Sequence, residues 1–510
     1  MLRLPQRRIW RVAIYLGSLW LIVTAIDLVL VQMGRTIHPG YLTTRIEGPR
    51  IADGRIDYLR TIDDFFVRDV TLENNAAPFL LRAAGPDAVS PAQPANAVTA
   101  RLGMQPLSPT GSYFVPFDAF SKGKSFVAET DLAEEVDSDT TWPVAIGPGM
   151  RAWIAANAQP LDLMVEGSKR PEFFIPLYAG YRPDTIAESY LKHVLPAIRM
   201  CHALLTRSLI RLEAGDAAGF RADVLAVHRW ARLIAKSQTL VERAQALAIE
   251  ATACRFDRLA AGSGKLSADE LHALLADLQR LDELKPPLDS IDQCERYIVL
   301  DLVQWIAQGG PSRISFAVNI ILDQAKVPPP FGVRIGAQFL PVDYDKCMER
   351  LNQFYDGALA GARQPTWQMR RDAMQEWEAE VNRIAKRNRL MSYLSSDWLP
   401  MMLLPSLTNV VVKTETSHAE LRLTRIAVAV HIYKAEEGAF PKALDALAPK
   451  ILPGIPDDPF ADAEAQYRAS ENSFELYSVG PNIEGDRGKK DDINASFAVS
   501  SHATRPASGP

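Results

Sequence analysis

The segments DTIAESYLKHVLPAIRMCHALLTRSLIRLEAG (184–215) and DAAGFRADVLAVHRWARLIAKS (216–237) decide the fold class. In the second, Phe220, Val224, Val227, Ala231 and Ile234 recur at steps of three and four, which gives one face of an α-helix an apolar stripe. Gly215-Asp216 and, further on, Gly262-Ser263-Gly264 are helix stops. Before this pair lies MRAWIAANAQPLDLMVEG (150–167), and after it come TLVERAQALAIEATACRFDRLAAG (239–262), LSADELHALLADLQRLDEL (266–284) and SIDQCERYIVLDLVQWIAQGG (290–310). Ser267 with Glu270 three residues on is a capping box. Connections this short predict antiparallel helical hairpins over 148–310, stacked as a bundle or a short solenoid. No fixed period runs through them, so no named repeat is expected.

Outward from this region the pattern weakens. Residues 36–147 read as an irregular segment with short helices, such as YLRTIDDFFVRDV (58–70), where Leu59, Ile62, Phe65 and Phe66 share a face. Residues 311–342 form a Pro/Gly-rich connection, and a helical extension follows over 343–404. The apolar run LMSYLSSDWLPMMLLPSLTNVVV (390–412) is interrupted by Asp397, Pro400 and Pro405. It reads as buried helix or membrane-surface packing rather than a span, because spanning helices tolerate few mid-depth charges.

The N-terminus is of another kind. A basic tail, MLRLPQRRIWR (1–11), runs into VAIYLGSLWLIVTAIDLVLV (12–31), whose single charge is Asp27. About 20 residues at ~1.5 Å each are enough to cross a hydrocarbon core of ~30 Å. The stretch lacks the short core and small-x-small exit of a cleaved signal, so residues 12–33 are read as a transmembrane anchor. The arginines before it place the N-terminus in the cytoplasm and the bulk of the chain across the membrane, with Asp27 at the far interface.

Across all 510 residues the hydrophobic share of 47% and the charged share of 23% are those of an ordinary folded protein. A formal net charge of −5 argues against nucleic acid as a partner. Cys201, Cys254, Cys294 and Cys347 are far apart and make no C-x-x-C pair, which excludes zinc-ribbon and thioredoxin spacings. They are expected mostly as small buried helix residues, with some pairing open in an oxidising compartment.

From 405 to 497 the chain promises a long helix, SLTNVVVKTETSHAELRLTRIAVAVHIYKAEEG, and a small α+β module, before a disordered tail at 498–510. Gly438 is a helix C-cap, Pro441 can open a short helix, and Asp457-Asp458-Pro459 makes a turn. Gln466–Arg468 and Phe474–Val479 are expected to pair as a hairpin across the Ser470–Ser473 turn and to bury Phe474, Leu476 and Ile432. The order of Tyr433, Gly438, Pro441, Leu444, Leu447, Pro456, Asp458, Pro459, Tyr467, Tyr477, Ser478 and Gly480 resembles the C-terminal module of the major pseudopilins of type II secretion, over about 80 residues. The resemblance implies a calcium loop, here Asp486, Asp491 and Asp492, with Asn482 where an aspartate is expected and Lys490 adding positive charge. It also implies secretion-machine or other envelope proteins as partners. The leader glycine and early glutamate of pseudopilins are missing, and about 370 residues separate anchor and module, so a subunit of a pseudopilus is not expected. The order of anchor, helical region and pseudopilin-like tail also resembles that of uncharacterised membrane-anchored proteins of bacterial envelopes.

No Walker loop, dinucleotide fingerprint, H-E-x-x-H or G-x-S-x-G occurs. His193 and His202 are nine apart, too far for a metal pair on one helix turn, and His418 and His431 stand without evident ligand partners. His228 beside Trp230 reads as a buried, hydrogen-bonded residue. Charges inside apolar helix runs are the sharpest remaining signal: Glu250, Arg255, Glu295 and Arg296 are expected to meet as a buried ion network, structural first. Glu250 and Glu295 are also the candidates for acid–base work in an exported hydrolase. The expected fold is mainly α with a small C-terminal α+β module. The expected function is that of a single-pass, membrane-anchored envelope protein with an exported scaffold or binding domain. Its bilayer contact is through residues 12–33, and an accessory of a type II secretion or pilus-like machine is the alternative.

Overall fold

A computed structural model describes residues 37–89, 95–123, 136, 144, 146–177, 184–188, 191–309, 313, 343–386, 398–404, 407–461, 463–484 and 492–498. The expected anchor at 12–33 therefore lies outside the described residues, as do Asp486, Asp491 and most of the 311–342 connection. Among the described residues no helix is long and apolar enough to cross a membrane, and the described part of the 390–412 run is a short helix and the start of a long one.

The chain is mainly α. Helices α1 (Tyr58–Phe66), α2 (Ala77–Ala84), α3 (Ala95–Arg101), α4 (Phe117–Ser121), α5 (Pro148–Ala156) and α6 (Ala158–Gly167) are short. Four longer ones follow: α7 (Val194–Glu213), α8 (Ala217–Ile234), α9 (Leu240–Gly262) and α10 (Ala268–Gln279). Their boundaries are set locally. Asp216 accepts from the Gly219 amide at the start of α8, and Thr239 with Glu242 and Ser267 with Glu270 form capping boxes on α9 and α10. Gly215 closes α7 at φ +80°, a conformation that costs a side-chain-bearing residue. A π-helical turn at Ser290–Glu295 leads into α11 (Arg296–Gly309), and α12 (Tyr344–Ala362), α13 (Trp367–Ala385), α14 (Trp398–Leu403) and α15 (Leu407–Glu437) complete the helices.

Two apolar cores result. The larger joins α7, α8, α9 and α10 through Leu204, Phe220, Trp230, Phe256 and Leu274, and it includes Ile426, Val430 and Ile432 of α15. The smaller gathers Tyr58 and Ile62 of α1, Leu300 of α11, Leu351 and Tyr355 of α12, and Leu399 and Leu403 of α14. Leu399, Leu403 and Leu407 are buried there, so this part of the 390–412 run is core.

The C-terminal module is more sheet-rich than a single hairpin. Strands β1 (Asp457–Asp458) and β2 (Ala463–Glu464) pair, and β3 (Gln466–Ala469) pairs antiparallel with β4 (Ser473–Ser478) at Tyr467↔Leu476. Two-residue strands β5 (Ile493–Asn494) and β6 (Phe497–Ala498) add to the far edge of β4. Asp458 ties turn to sheet, accepting from Ser478 Oγ at 2.8 Å and the Val479 amide at 2.9 Å. Phe474 and Leu476 are buried with Ile432, as the hairpin register requires. All four cysteines are buried and none is in a disulfide.

Candidate binding cleft

A cleft of about 840 Å³ opens between the end of α1, the Ser168–Glu172 segment after α6, one face of α8, Arg243 on α9, and the Asp282–Ser290 connection after α10. Arg229 and Arg232 stand three residues apart on α8, so their side chains emerge on one side, and Lys236 lines the cleft from the turn just past the helix end. Seven cationic and four acidic side chains line the cleft, a local surplus of three positive charges in a chain of net charge −5. Phe65, Phe66, Leu233 and Pro287 supply apolar surface.

The cations differ in what they already hold. Arg232 grips Glu250 with both terminal nitrogens, at 2.8 and 3.0 Å, and donates to the Asp282 carbonyl. Behind it lies a closed chain of charge. His228 donates from Nδ1 to Glu250 at 2.9 Å and from Nε2 to Asp257 at 2.7 Å, all three fully buried. Burial alone pushes the imidazole down, but the two carboxylates overcome it and hold His228 up at about 9. Arg232 and His228 together hold Glu250 well below the usual carboxylate range, against its burial. Lys236 pairs with Glu172 at 2.9 Å, and Lys169 with Glu166 at 2.8 Å.

Arg243 is the exception. Only 3% exposed, it donates to the Ala235 and Lys285 carbonyls, and among the described residues it has no carboxylate partner and its Nε has no acceptor. With no counter-charge to oppose burial, its pKa is pushed down to about 10. Arg229 and Lys285 likewise pair with no carboxylate among the described residues. Neither composition nor the apolar stripe points to this group. The one available signal is the basic spacing Arg229-Arg232-Lys236, which runs beside that stripe.

Comparison with protein-family models, with curated proteins and with solved structures finds no match to this chain.

The ion network expected from sequence does not assemble. Glu250 is in the His228 chain, Arg255 reaches only Thr252 on its own helix, and Arg296 lies in the smaller core, paired with Asp292 at 2.7 Å and Asp356 at 2.9 Å. Five residues along an α-helix turn the direction by about 140°, so Glu250 and Arg255 face different neighbours. Glu295 accepts the Leu240 amide at 2.9 Å, at the start of α9, and burial raises its pKa. Glu250 sits ten residues further along that helix, roughly 15 Å at the helical rise, beyond the separation of working carboxylate pairs. The two are not brought together.

Cys254 Sγ lies within 4.8 Å of the ligand atoms of His228 and Glu250. Both ring nitrogens are already donating and Arg232 already balances Glu250, so this spacing is that of a saturated charge cluster. Of the expected calcium loop, Asn482 Oδ1 accepts the Glu484 amide at 2.6 Å, and Asp492 immediately precedes β5. His418, expected to stand alone, bonds the Leu284 carbonyl at 2.7 Å and faces Glu415 and Glu283. Arg422 on the same helix holds Glu283 at 2.6 and 3.0 Å, so α15 braces the cleft's connecting segment from behind.

Proposed function

We propose that this chain is a membrane-anchored binding protein. Residues 12–33 tether it, and the helical region presents a preformed cleft for a small ligand on the far side of the bilayer. The observation that carries the reading is the cleft itself: a concave site between helices where apolar surface and a surplus of cationic side chains converge. A thermal-shift screen of chemically varied small molecules on the full chain in detergent, with hits mapped by hydrogen exchange, tests it. Hits that protect residues 229–243 support the reading, and a folded protein in which no compound class protects them overturns it. Alkaline carbonate extraction tests the tether, since release of the chain from membranes removes it.

A second reading, an accessory of a secretion or pilus-like machine, draws support from β3, which among the described residues is paired on one side only and so offers an edge for strand addition. Crosslinking in intact cells tests it: reproducible crosslinks from residues 457–498 to channel or pilus proteins support it, and crosslinks confined to other envelope proteins remove it. Calcium at Asp486, Asp491 and Asp492 is part of this second proposal, and a calorimetric titration without heat at millimolar calcium excludes it.

A further inference from the structure

Every buried cation in a folded chain needs an account of its counter-charge, because a lone charge out of water is costly. Arg207, 7% exposed, has Asp223 at 2.7 and 3.0 Å and Asp162 at 2.8 Å. Arg296, 1% exposed, has Asp292 and Asp356. Arg258 has Glu420 at 2.7 Å. Arg243 has only carbonyl oxygens, and it is the one of the four that lines the cleft.

The other charges at the cleft do not supply what Arg243 lacks. Glu172 is held by Lys236, Glu283 is turned to Arg422, and Asp282 and Asp289 are exposed to solvent. Arg229 and Lys285 add two more cations that pair with no carboxylate among the described residues. Guanidinium groups engage carboxylates and phosphates through paired N–H bonds, and such bonds strengthen where water is excluded. The same cleft is lined by the half-buried Phe65 and Phe66, edge to face at 5.1 Å, which leave apolar surface to cover beside the Arg68 guanidinium 4.7 Å from the Phe65 ring centroid. Leu233 and Pro287 are themselves buried.

We infer that the cleft takes a small oxyanion, carboxylate or phosphate, that carries an aromatic or similar apolar group. The oxyanion is received by Arg243 with Arg229 and Lys285, and the apolar group lies against Phe65 and Phe66. This rests on the reading of the cleft as a ligand site and adds the ligand's chemistry. A whole-chain net charge of −5 fits a small anion rather than a polyanion.

Calorimetry on the full chain in detergent, with phenyl phosphate, phenylacetate, inorganic phosphate and benzylamine as probes, tests it. Phenyl phosphate or phenylacetate is expected to bind at least tenfold more tightly than inorganic phosphate, weaken as salt rises from 0.1 to 0.5 M, and leave benzylamine without measurable heat (all order-of-magnitude expectations, about one decade each). The stronger of the two aromatic probes identifies the head group. Arg229→Ala with Lys285→Ala, both away from the buried core, should weaken that probe about tenfold or more without changing the melting temperature. Arg243→Lys, which keeps the charge and loses the fork, should weaken it less than Arg243→Met. Benzylamine or neutral compounds protecting residues 229–243 while both oxyanions fail would overturn the inference and leave the binding reading standing. Equal affinity for inorganic phosphate and phenyl phosphate would overturn the apolar half. If no probe and no screened compound protects the cleft, both readings fall.

Discussion

Arg207 and Arg243 are buried to a similar degree in neighbouring parts of the same helical region, and they are treated in opposite ways. Between α7 and α8, Arg207 forms a fork with Asp223, and Arg211 joins it at 2.9 Å, so the fold matches its own charge. At the cleft, Arg243 is left with two carbonyls and a bare Nε. Asp223 raises Arg207's pKa against burial, whereas burial acts on Arg243 unopposed. A matched buried charge specifies packing. An unmatched one beside open space marks where something from outside completes the structure.

The comparison can be broken at its matched end first. Asp223→Ala strands Arg207 with Asp162 as its remaining carboxylate, and it should cost about 4 kcal/mol in urea unfolding. The buried imidazolium comes next. His228 is held at about 9 against an ordinary 6.5, so its contribution is complete below about pH 6.5 and is lost as pH rises through about 9. The wild type should lose about 3 kcal/mol from this group between those limits, and His228→Gln should flatten that part of a stability–pH curve. At the unmatched end, Arg243→Met removes two main-chain bonds and one lone buried charge together. The net change should stay within about 1 kcal/mol, while oxyanion binding is lost. Smallest of all, Glu295→Gln keeps an acceptor for the Leu240 amide and should shift stability by less than about 0.5 kcal/mol. A loss as large as that of Asp223→Ala would show that Glu295 carries a charge the fold depends on.

Features with local causes were legible. Ser267-Glu270 opens α10, Gly215 ends α7, and the helix expected at 405–438 runs Leu407–Glu437. The hairpin of β3 and β4 followed from alternation around Ser470–Ser473. Strands β5 and β6 did not, because two residues each carry no period, and they exist only where β4 offers an edge. The buried charges were recognisable as unusual, but their partners were not. Glu250 answers to His228 and Arg232, which helix phase selects, and Arg243 in the first turn of a capped helix reads like any surface charge. Its isolation is a property of what the tertiary structure fails to bring near it.

The C-terminal helix α15 lies in the same core as α9 and α10, with Ile426, Val430 and Ile432 completing the apolar cluster of Phe256 and Leu274. A chain under synthesis has the earlier helices long before it has this one. Until residue 437 is made, α9 and α10 expose a face meant for α15, together with Arg258, whose counter-charge Glu420 is still to come. A product truncated before α15 is therefore a sticky, unfinished core with nothing to close it, a target for proteolysis. Quality control of this protein falls on its last fifth.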